Sequence, residues 1–589
     1  MTKTTDISSG AHILVKKIDE DMKVLIVTVV LLLPLCLSAQ HEEYTESILQ
    51  VLGLMSVEET DPEEFERLMN IIRHPVTLDL GGFSKIGESG LLSSYQLASL
   101  KDYISRHGIV LSVTELAAVD GFTMKYAELL KPFVAFGTGL NASRRRTIDG
   151  DIDLRTSLKY TAGEQATFSY GLRSSVDYKG KLQLAFSMSR PHEASYCFPS
   201  LYCAGVTCIH KYGKLIVGDF NARFGQGLCI WNTASFSSVA APSSFMKRSS
   251  GLSSSHSFTG TYAMTGLASD LNLDKWKVSA YLALPELKHS FFSDIDINPG
   301  INLTRNFSCG HVGATGFMYI SDVGDSDFRI PQLKTSVDAS LCFGGVNLFS
   351  EVMCDFVKNS CALVAGTEAN VAEHWRMAAM LRYIPESYDH GAAFSCEFKR
   401  NRHEGLFFTD IKYDPRTKSS DEKRRQLKAQ FRWKWAISEH IHTELRLSER
   451  FRTWGAVFRT NVRTDICYEN SRWTATARVD FLSCKDCGVL GYMEAGYRVG
   501  NVLKVYFRSG LFRIDEWDDR IYVYERDSPG NFNVPSFYGR GVWTSLYLTS
   551  KFAGWGQIYL RASYVGYPLM HENQKPGRAE LKLQFSLFI

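Results

Sequence analysis

From about Asp151 to the C-terminus, apolar and polar residues alternate with a period of two. This period is typical of β-strands that have one apolar and one polar face. In residues 427–437 the odd positions are Leu, Ala, Phe, Trp, Trp and Ile, while the even positions are mostly Lys, Arg and Gln. Residues 473–481 and 503–511 repeat the pattern, and residues 581–589 continue it to the chain end. The pattern predicts a long succession of amphipathic strands.

The connections between these segments favour a membrane barrel over a soluble sandwich. Tight turns are expected at Lys179-Gly180 and Ser438–His440, and longer connections at Ser237–His256 and Ser290–Phe307. A sandwich of this length would normally divide into domains joined by linkers, and the sequence has no such linkers. Since sheet edges cannot remain open in lipid, the strands must close on themselves. We therefore predict a mostly β protein in which residues 140–589 form a large antiparallel transmembrane β-barrel of about 22 to 26 strands.

Residues 40–136 have helical spacing instead. Phe65, Leu68, Met69 and Ile72 fall on one helix face, and Asp61-Pro62 is a plausible helix start. Further short helices are expected at Tyr95–Arg106 and Met124–Phe133. The sequence thus predicts a small all-α domain, here called the head, in front of the barrel.

The N-terminus has the layout of a secretory signal. Val24–Ala39 is uncharged and apolar, follows Met22-Lys23 and ends in small residues. We predict a signal peptide over residues 1–39, with translation starting at Met22. A lipoprotein signal at Cys36 is the alternative, although Leu35 stands where a small residue is expected. No later segment has 18 consecutive apolar residues, which excludes helical membrane spans. Export and a barrel together predict the Gram-negative outer membrane, with the head in the periplasm and outer-membrane lipid around the strands.

Charge divides the chain. The net charge of the whole sequence is +3, but residues 40–136 carry 15 acidic and 7 basic residues, whereas residues 137–589 carry 44 acidic and 55 basic ones. We therefore expect an acidic head and a barrel lumen rich in cations, which favours anions. The alternative is that lumenal charges pair with one another and with acidic loops. The basic residues predicted to line the lumen are Lys428, Arg432, Lys434, Arg446, Arg472, Arg478, Lys504, Arg508 and Arg561.

Residues 74–134 resemble a tandem helix-hairpin-helix module of the kind found in the competence protein that binds DNA in the periplasm. The resemblance rests on Tyr103, Gly108, Ser112, Glu115, Leu116, Val119, Gly121, Leu130 and Pro132-Phe133. Such hairpins hold phosphate with a Gly-hydrophobic-Gly turn at a helix N-terminus. Here the two turns are Leu91-Leu92-Ser93 and Gly121-Phe122-Thr123, so three of the four glycines are missing. Because the head is also acidic, these turns predict binding to a protein partner or to the basic lumen, with DNA as the alternative.

A second motif lies early in the barrel. Residues 218–228 read GDFNARFGQGL and are followed by Trp231. With the head, this stretch resembles a Bacteroidetes outer-membrane family of helix-hairpin-helix domain-containing proteins, which implies location and architecture but no activity. The residues themselves predict a glycine-permitted bend from which Arg223 reaches the lumen or a carboxylate; ligand binding by Arg223 or Gln226 is the alternative. The motif residues singled out are Gly218, Asp219, Arg223, Phe224, Gly225, Gln226 and Gly227.

Catalytic motifs are lacking in the sequence. It contains no GxSxG, HExxH or phosphate-binding GxxxxGK(S/T) motif. Cys484–Cys487 has redox-motif spacing but falls between two strands, which favours a hairpin turn. The histidines, His210, His256, His289 and His311, are dispersed. We therefore predict no enzyme, metal or cofactor.

The resulting hypothesis is a scaffold, plug or gate for an anionic or macromolecular passenger. DNA uptake is the alternative. A lumenal hydrolase would instead require Ser, His and carboxylate groups clustered on one lumenal face.

Overall fold

A computed structural model describes most of the head and barrel. The described residues are 44–79, 82–136, 148–232, 240–255, 257–258, 263–273, 275–284, 297–322, 329–385, 389–414, 424–453, 455, 457–500, 502–552, 555–568 and 576–589. The predicted signal peptide lies outside them.

The head is a compact helical unit with its own core. Its helices are α1 Tyr44–Leu52, α2 Pro62–Arg73, α3 Phe83–Glu88, α4 Ser94–His107, α5 Val113–Ala117 and α6 Met124–Leu130, with a 3₁₀ turn at Val57–Glu59. Strands β1 Val76–Thr77 and β2 Val134–Ala135 pair in parallel. The predicted start of α2 is correct, because Asp61 Oδ1 accepts a hydrogen bond from the backbone N–H of Glu64. Among the described helices, none combines the length and apolar character needed to cross a bilayer.

The rest of the chain closes into an antiparallel β-barrel of 24 strands, as predicted. The last strand pairs with the first across the register Phe585↔Leu154. The barrel strands are β3 Ile148–Thr161, β4 Thr167–Tyr178, β5 Leu182–Arg190, β6 Leu201–His210, β7 Gly213–Arg223, β9 Met264–Leu273, β10 Trp276–Ala283, β11 Asn298–Phe307, β12 Gly310–Asp322, β13 Arg329–Phe343, β14 Val346–Asp355, β15 Ser360–Ala372, β16 Trp375–Ile384, β17 Asp389–Arg400, β18 His403–Asp414, β19 Arg424–Ala436, β20 Ile441–Arg452, β21 Val457–Glu469, β22 Trp473–Ser483, β23 Cys487–Val499, β24 Leu503–Ile514, β27 Gly539–Phe552, β28 Gly556–Gly566 and β29 Arg578–Phe588.

Two connections carry short elements of their own. Between β7 and β9 lie a 3₁₀ turn at Pro242–Ser244 and strand β8 Gly251–Ser254, which pairs with β7. Between β24 and β27 lie a 3₁₀ turn at Trp517–Asp519 and the paired strands β25 Ile521–Tyr522 and β26 Ser536–Phe537.

One predicted connection is wrong. Ser290–Phe307 was expected to be a loop, but its second half is strand β11. The strand begins with Asn298-Pro299-Gly300, residues that are typical of turns, and this start masks the alternation of the strand in the sequence. Its lumenal side bears small or polar residues such as Asn302. Its lipid side is apolar, since Ile301 and Leu303 are exposed on the outer face.

The two ends of the barrel differ. The end where β3 begins has tight turns such as Lys211-Tyr212, Gly344-Gly345 and Asn401-Arg402, and the long connections lie at the other end. Transmembrane barrels have their short turns on the periplasmic side and aromatic girdles at both interfaces. The exposed aromatics fit this: Trp276, Trp375, Trp435, Trp473 and Trp555 lie at the tight-turn end, and Tyr160, Tyr383, Tyr413 and Tyr564 at the other. The chain is an outer-membrane barrel with its tight turns in the periplasm.

Candidate functional site

The head lies against the lumenal wall of the barrel on many sides. Acidic side chains of the head reach basic residues of strands β4, β7, β19, β21 and β22, which stand far apart around the barrel. Helix α4 packs against β11, β12 and β13, so a further part of the wall is also in contact with the head. The ion pairs from head to wall are Glu46–Lys434, Glu58–Arg463, Glu58–Arg478, Glu59–Lys428, Glu64–Arg223, Glu66–Arg173 and Glu88–Lys214.

Glu58 joins the head to two neighbouring strands. Its Oε2 lies 3.2 Å from Arg463 Nη1 and its Oε1 lies 3.2 Å from Arg478 Nη1. The same carboxylate accepts the backbone N–H of Tyr524 at 3.2 Å. Burial alone would raise the pKa of Glu58, but the guanidinium groups of Arg463 and Arg478 outweigh burial and hold that pKa well below its ordinary value. Glu58 therefore remains ionised.

A second set of ion pairs has the opposite polarity. Arg73 of α2 donates to both oxygens of Asp153 at 3.0 and 3.1 Å, and Asp153 is fully buried. Arg173 contacts the same carboxylate at 2.6 Å and also binds Glu66. Near the periplasmic end, Lys85 Nζ lies 2.6 Å from Asp177 Oδ2. The head is thus held by pairs of both polarities.

Two extracellular connections also fold inward onto the head. In the connection between β24 and β27, the rings of Tyr524 and Phe532 lie 6.1 and 5.3 Å from the ring of Phe65. In the connection between β7 and β9, Arg248 Nη1 donates to the carbonyl of Leu91 at 2.9 Å. The head and these two connections are therefore packed together inside the barrel.

Eight of the nine basic residues predicted for the lumen lie on its wall. Arg508 pairs with Glu494 at 2.6 Å, Arg446 and Lys434 contact Glu444, and Lys504 and Arg432 are buried. Arg561 contacts Glu525, Asp527 and Glu580, while Lys428 and Arg478 bind the head.

The prediction for Arg472 is wrong. This residue is exposed in the periplasmic turn between β21 and β22, where its backbone N–H donates to Asn470 Oδ1 at 2.8 Å. The alternation of the following strand begins one residue later, at Trp473.

The two hairpin turns differ in exposure. Leu91 and Leu92 are buried, and the Leu91 carbonyl accepts hydrogen bonds from Arg248 and Tyr126. Ser93 caps α4, and the first turn packs against Arg248 of the inward connection between β7 and β9.

The second turn lies at the exposed end of the head. Gly121 has a φ of +84°, Phe122 is buried, and Thr123 caps α6 through the backbone N–H of Tyr126. The hydroxyl caps at Ser93 and Thr123 stand where the resemblance expects the second glycine of each turn.

The GDFNARFGQGL stretch binds two carboxylates. Arg223, at the end of β7, lies 3.0 Å from Glu64 of the head. The following turn wraps Glu351 of β14, which accepts the backbone N–H groups of Gln226 at 2.7 Å and Leu228 at 3.0 Å. Gly225 has a φ of +57°, and a Cβ there would lie 2.8 Å from the Glu351 carboxylate.

The remaining motif residues support this bend. Asp219 accepts the backbone N–H of Ala204 at 2.8 Å, and the buried Gln226 side chain accepts the N–H of Lys247 at 2.9 Å. Gly218 and Gly227 both have positive φ, and Phe224 is buried. The motif is a structural joint between β7, β14 and the head.

A buried histidine–carboxylate pair joins β12 and β13 on the lumenal side. His311 Nε2 and Asp338 Oδ2 are 2.9 Å apart, while His311 Nδ1 has no hydrogen-bond partner among the described atoms. Ser340, opposite His311 in the register, donates to the sulfur of Met246 instead. The arrangement therefore does not activate a nucleophile.

The cysteine motif singled out in the sequence lies in an extracellular turn between β22 and β23. Cys484 and Cys487 flank a turn and are both free thiols. No group of His, Cys, Asp or Glu suited to a metal occurs among the described residues. His256 and His289 lie outside them.

The acidic residues that hold the head were not singled out from the sequence. Glu58, Glu64 and Glu66 lie in and just before the first turns of α2, where acids also suit the helix dipole. The sequence feature that pointed to these contacts was the opposite net charge of head and barrel. It predicts that the two attract each other but does not say which residues pair.

Solved structures with similar folds are outer-membrane barrels. The P pilus usher PapC translocation pore matches with 8% identity over 75% of this chain and 99% of its own, with a TM-score of 0.39. A ferric enterobactin receptor, PfeA, from Pseudomonas aeruginosa matches with 6% identity over 75% and 80%, with a TM-score of 0.40. The copper transporter OprC gives 8% identity over 74% and 80%, with a TM-score of 0.37. No protein-family model and no curated protein matches the sequence. We therefore infer function from the chain's own contacts.

Proposed function

We propose that this chain is a non-enzymatic outer-membrane channel in which the head is a plug held in the lumen by ion pairs. The observation that carries the proposal is the position of Glu58 between Arg463 and Arg478. Removing one partner of a buried ion pair leaves a charge without compensation, so each such pair resists withdrawal of the head.

The passenger is proposed to be anionic. With the head in place, its glutamates neutralise wall cations such as Arg173, Arg223 and Lys428. When the head moves away, those cations face the open pore. A pore lined by cations repels cations and favours anions.

Single-channel recording of the full chain in planar bilayers tests the plug. We expect the unaltered protein to be mostly closed, and Glu58→Gln to raise its open fraction by about tenfold, the effect of one lost charged hydrogen bond. In a salt gradient, the open state should prefer anions. The control is Glu128→Gln, because Glu128 is exposed on α6 of the same head. Equal open fractions in both variants and the parent would reject the plug.

Movement of the plug requires a force, and we propose that a periplasmic protein partner supplies it at the exposed second hairpin. Gly121 and Thr123 are exposed there, and Met124 is 45% exposed. A photo-crosslinking residue at Thr123 should capture a protein in intact cells. The same residue at Tyr212, which is 58% exposed in a periplasmic turn of the barrel, should not. Equal capture at both positions would contradict docking at the hairpin.

The resemblance to Bacteroidetes helix-hairpin-helix barrels leads us to assign this chain to that type of protein. DNA uptake, the alternative function for such a head, would require the buried first hairpin to become accessible. The acidic charge of the head also opposes it.

A further inference from the structure

A cavity of about 360 Å³ lies in the extracellular half of the lumen. Its floor is the tip of the head, at Met55–Glu59. Its walls are strands β20 and β21, close to their extracellular ends, and the inward segment Arg520–Tyr522. The volume falls in the range of sites for small molecules rather than for polymers.

The lining has an excess of positive charge. Five arginines face the cavity, against the three carboxylates of Glu58, Glu59 and Asp480. The arginines are Arg446, Arg450, Arg459, Arg463 and Arg520.

The carboxylates are already engaged. Glu58 and Asp480 contact Arg463 at 3.2 and 2.9 Å. Glu59 lies 3.7 Å from Lys428 and accepts a hydrogen bond from Gln430 at 2.9 Å.

Three of the five arginines, Arg450, Arg459 and Arg520, form no direct ion pair within the described ranges, and Arg520 donates to the Trp517 carbonyl and the Tyr522 hydroxyl instead. Arg459 donates to the backbone carbonyls of Asp518 and Arg520, both at 3.2 Å. Arg450 lines the same cavity and forms no direct ion pair within the described ranges, although Glu59 on the cavity floor attracts it electrostatically. Guanidinium groups that form no direct ion pair at a small cavity are suited to an oxyanion, whose paired oxygens match the guanidinium fork.

We propose that this cavity binds a small multivalent oxyanion, carrying phosphate or carboxylate groups, through Arg450 and Arg459. Arg463 lines the cavity and also holds Glu58 of the head. A bound anion therefore competes with Glu58 for Arg463. This coupling rests on the proposed plug function of the head. Through it, a ligand that enters from the extracellular side weakens the attachment of the head to the barrel wall.

Isothermal titration of the purified full chain in detergent tests the site, with pyrophosphate and citrate as separate probes. We expect saturable binding of at least one probe, and the difference between them identifies the phosphate or carboxylate source. Arg450→Gln and Arg459→Gln should each weaken binding by about tenfold or more, the value of one charge-assisted contact. Arg472→Gln, in an exposed periplasmic turn, is the control and should bind as the parent does.

The competition with Glu58 has its own readout. Glu58→Gln should tighten binding, because it removes the competing charge from Arg463. Heat-modifiable gel migration verifies that each barrel is folded, and an arginine-to-glutamine variant that fails to fold is replaced by the corresponding methionine variant, which also lacks the charge. Absence of saturable binding by either probe, or parental affinity in the folded Arg450 and Arg459 variants, overturns the site. Unchanged affinity in Glu58→Gln overturns the competition. The titration and the bilayer recording can also disagree. If the probes bind as expected but Glu58→Gln leaves the open fraction of the channel unchanged, the anion site is retained and the plug is rejected.

Discussion

Arg223 Nη1 lies 3.0 Å from Glu64 Oε2, and this contact joins the two segments that stand out in the sequence, the helical head and the GDFNARFGQGL stretch. Glu64 also pairs with Arg67 of its own helix. The side chain of Arg223 is almost fully buried. Arg223 of the barrel motif is therefore held in place by burial and binds the head directly.

Acidification should not release the head under mild conditions. Burial opposes ionisation of Glu64, but Arg67 and Arg223 outweigh it and lower its pKa from 4.5 to about 2. Because this pKa is lowered, the ionised Glu64 stabilises docking fully above pH 4.5, and that stabilisation is lost progressively as the pH falls from 4.5 through about 2. Glu66 acts in the opposite direction: burial outweighs Arg173 and raises its pKa, so its protonation favours the docked state as the pH falls.

The open fraction in planar bilayers checks this pH dependence. We expect equal closure at pH 7 and pH 5, with the open fraction rising as the pH falls from about 4.5 towards about 2. Opening between pH 5 and 6 would show that other groups control docking.

Loss of the aromatic contact should loosen helix α2. Phe65 is 5% exposed and packs between head core and inward connection, so Phe65→Ala should cost about 3–5 kcal/mol locally. Hydrogen exchange measured by mass spectrometry should then accelerate in residues 62–73. Leu111→Ala is the control, since Leu111 is 51% exposed. Equal exchange in both variants would mean that Phe65 does not anchor the helix.

Gly225 should not tolerate a side chain. Its φ of +57° alone makes Gly225→Ala cost about 1–3 kcal/mol, and the added Cβ would also meet the Glu351 carboxylate. Gly163→Ala is the matched control, because Gly163 has a φ of +87° but no atom within 4 Å of an added Cβ. In guanidinium-induced unfolding, Gly225→Ala should have a lower midpoint concentration of denaturant than Gly163→Ala. The reverse order would contradict the role of this turn.

Duplex DNA should not bind to the full chain. The first hairpin is buried, its Leu91 carbonyl is occupied by Arg248, and the head is acidic. We expect no gel retardation at about 50 mM salt, where phosphate contacts are still strong. Retardation that weakens steeply as salt rises would favour DNA uptake instead.

Much of the fold could be predicted because a lipid environment imposes a simple pattern on each strand. In β24, Phe507 and Leu511 face outward, and Lys504 and Arg508 face the lumen, as period two requires. The pattern is lost where lumenal residues are not clearly polar. Trp543 is fully buried on the lumenal side of β27, where it packs with Phe537 of the inward connection.

The site could be predicted only as an attraction between opposite charges. Glu58 meets arginines more than four hundred residues later in the chain, Arg463 and Arg478. Such pairs depend on the strand register and on the orientation of the head inside the barrel, and neither can be predicted from the local sequence. The arginine cavity is hidden for the same reason, since its members come from three separate parts of the chain.

A charge swap between Glu64 and Arg223 tests the central claim most directly. Single-channel recording would compare the parent with Glu64→Arg, Arg223→Glu and the double variant. We predict that each single variant opens the channel, because like charges then face each other at the buried contact, and that the double variant closes it again. Four equal open fractions, or a double variant at least as open as the singles, would contradict a head held in the lumen by this ion pair.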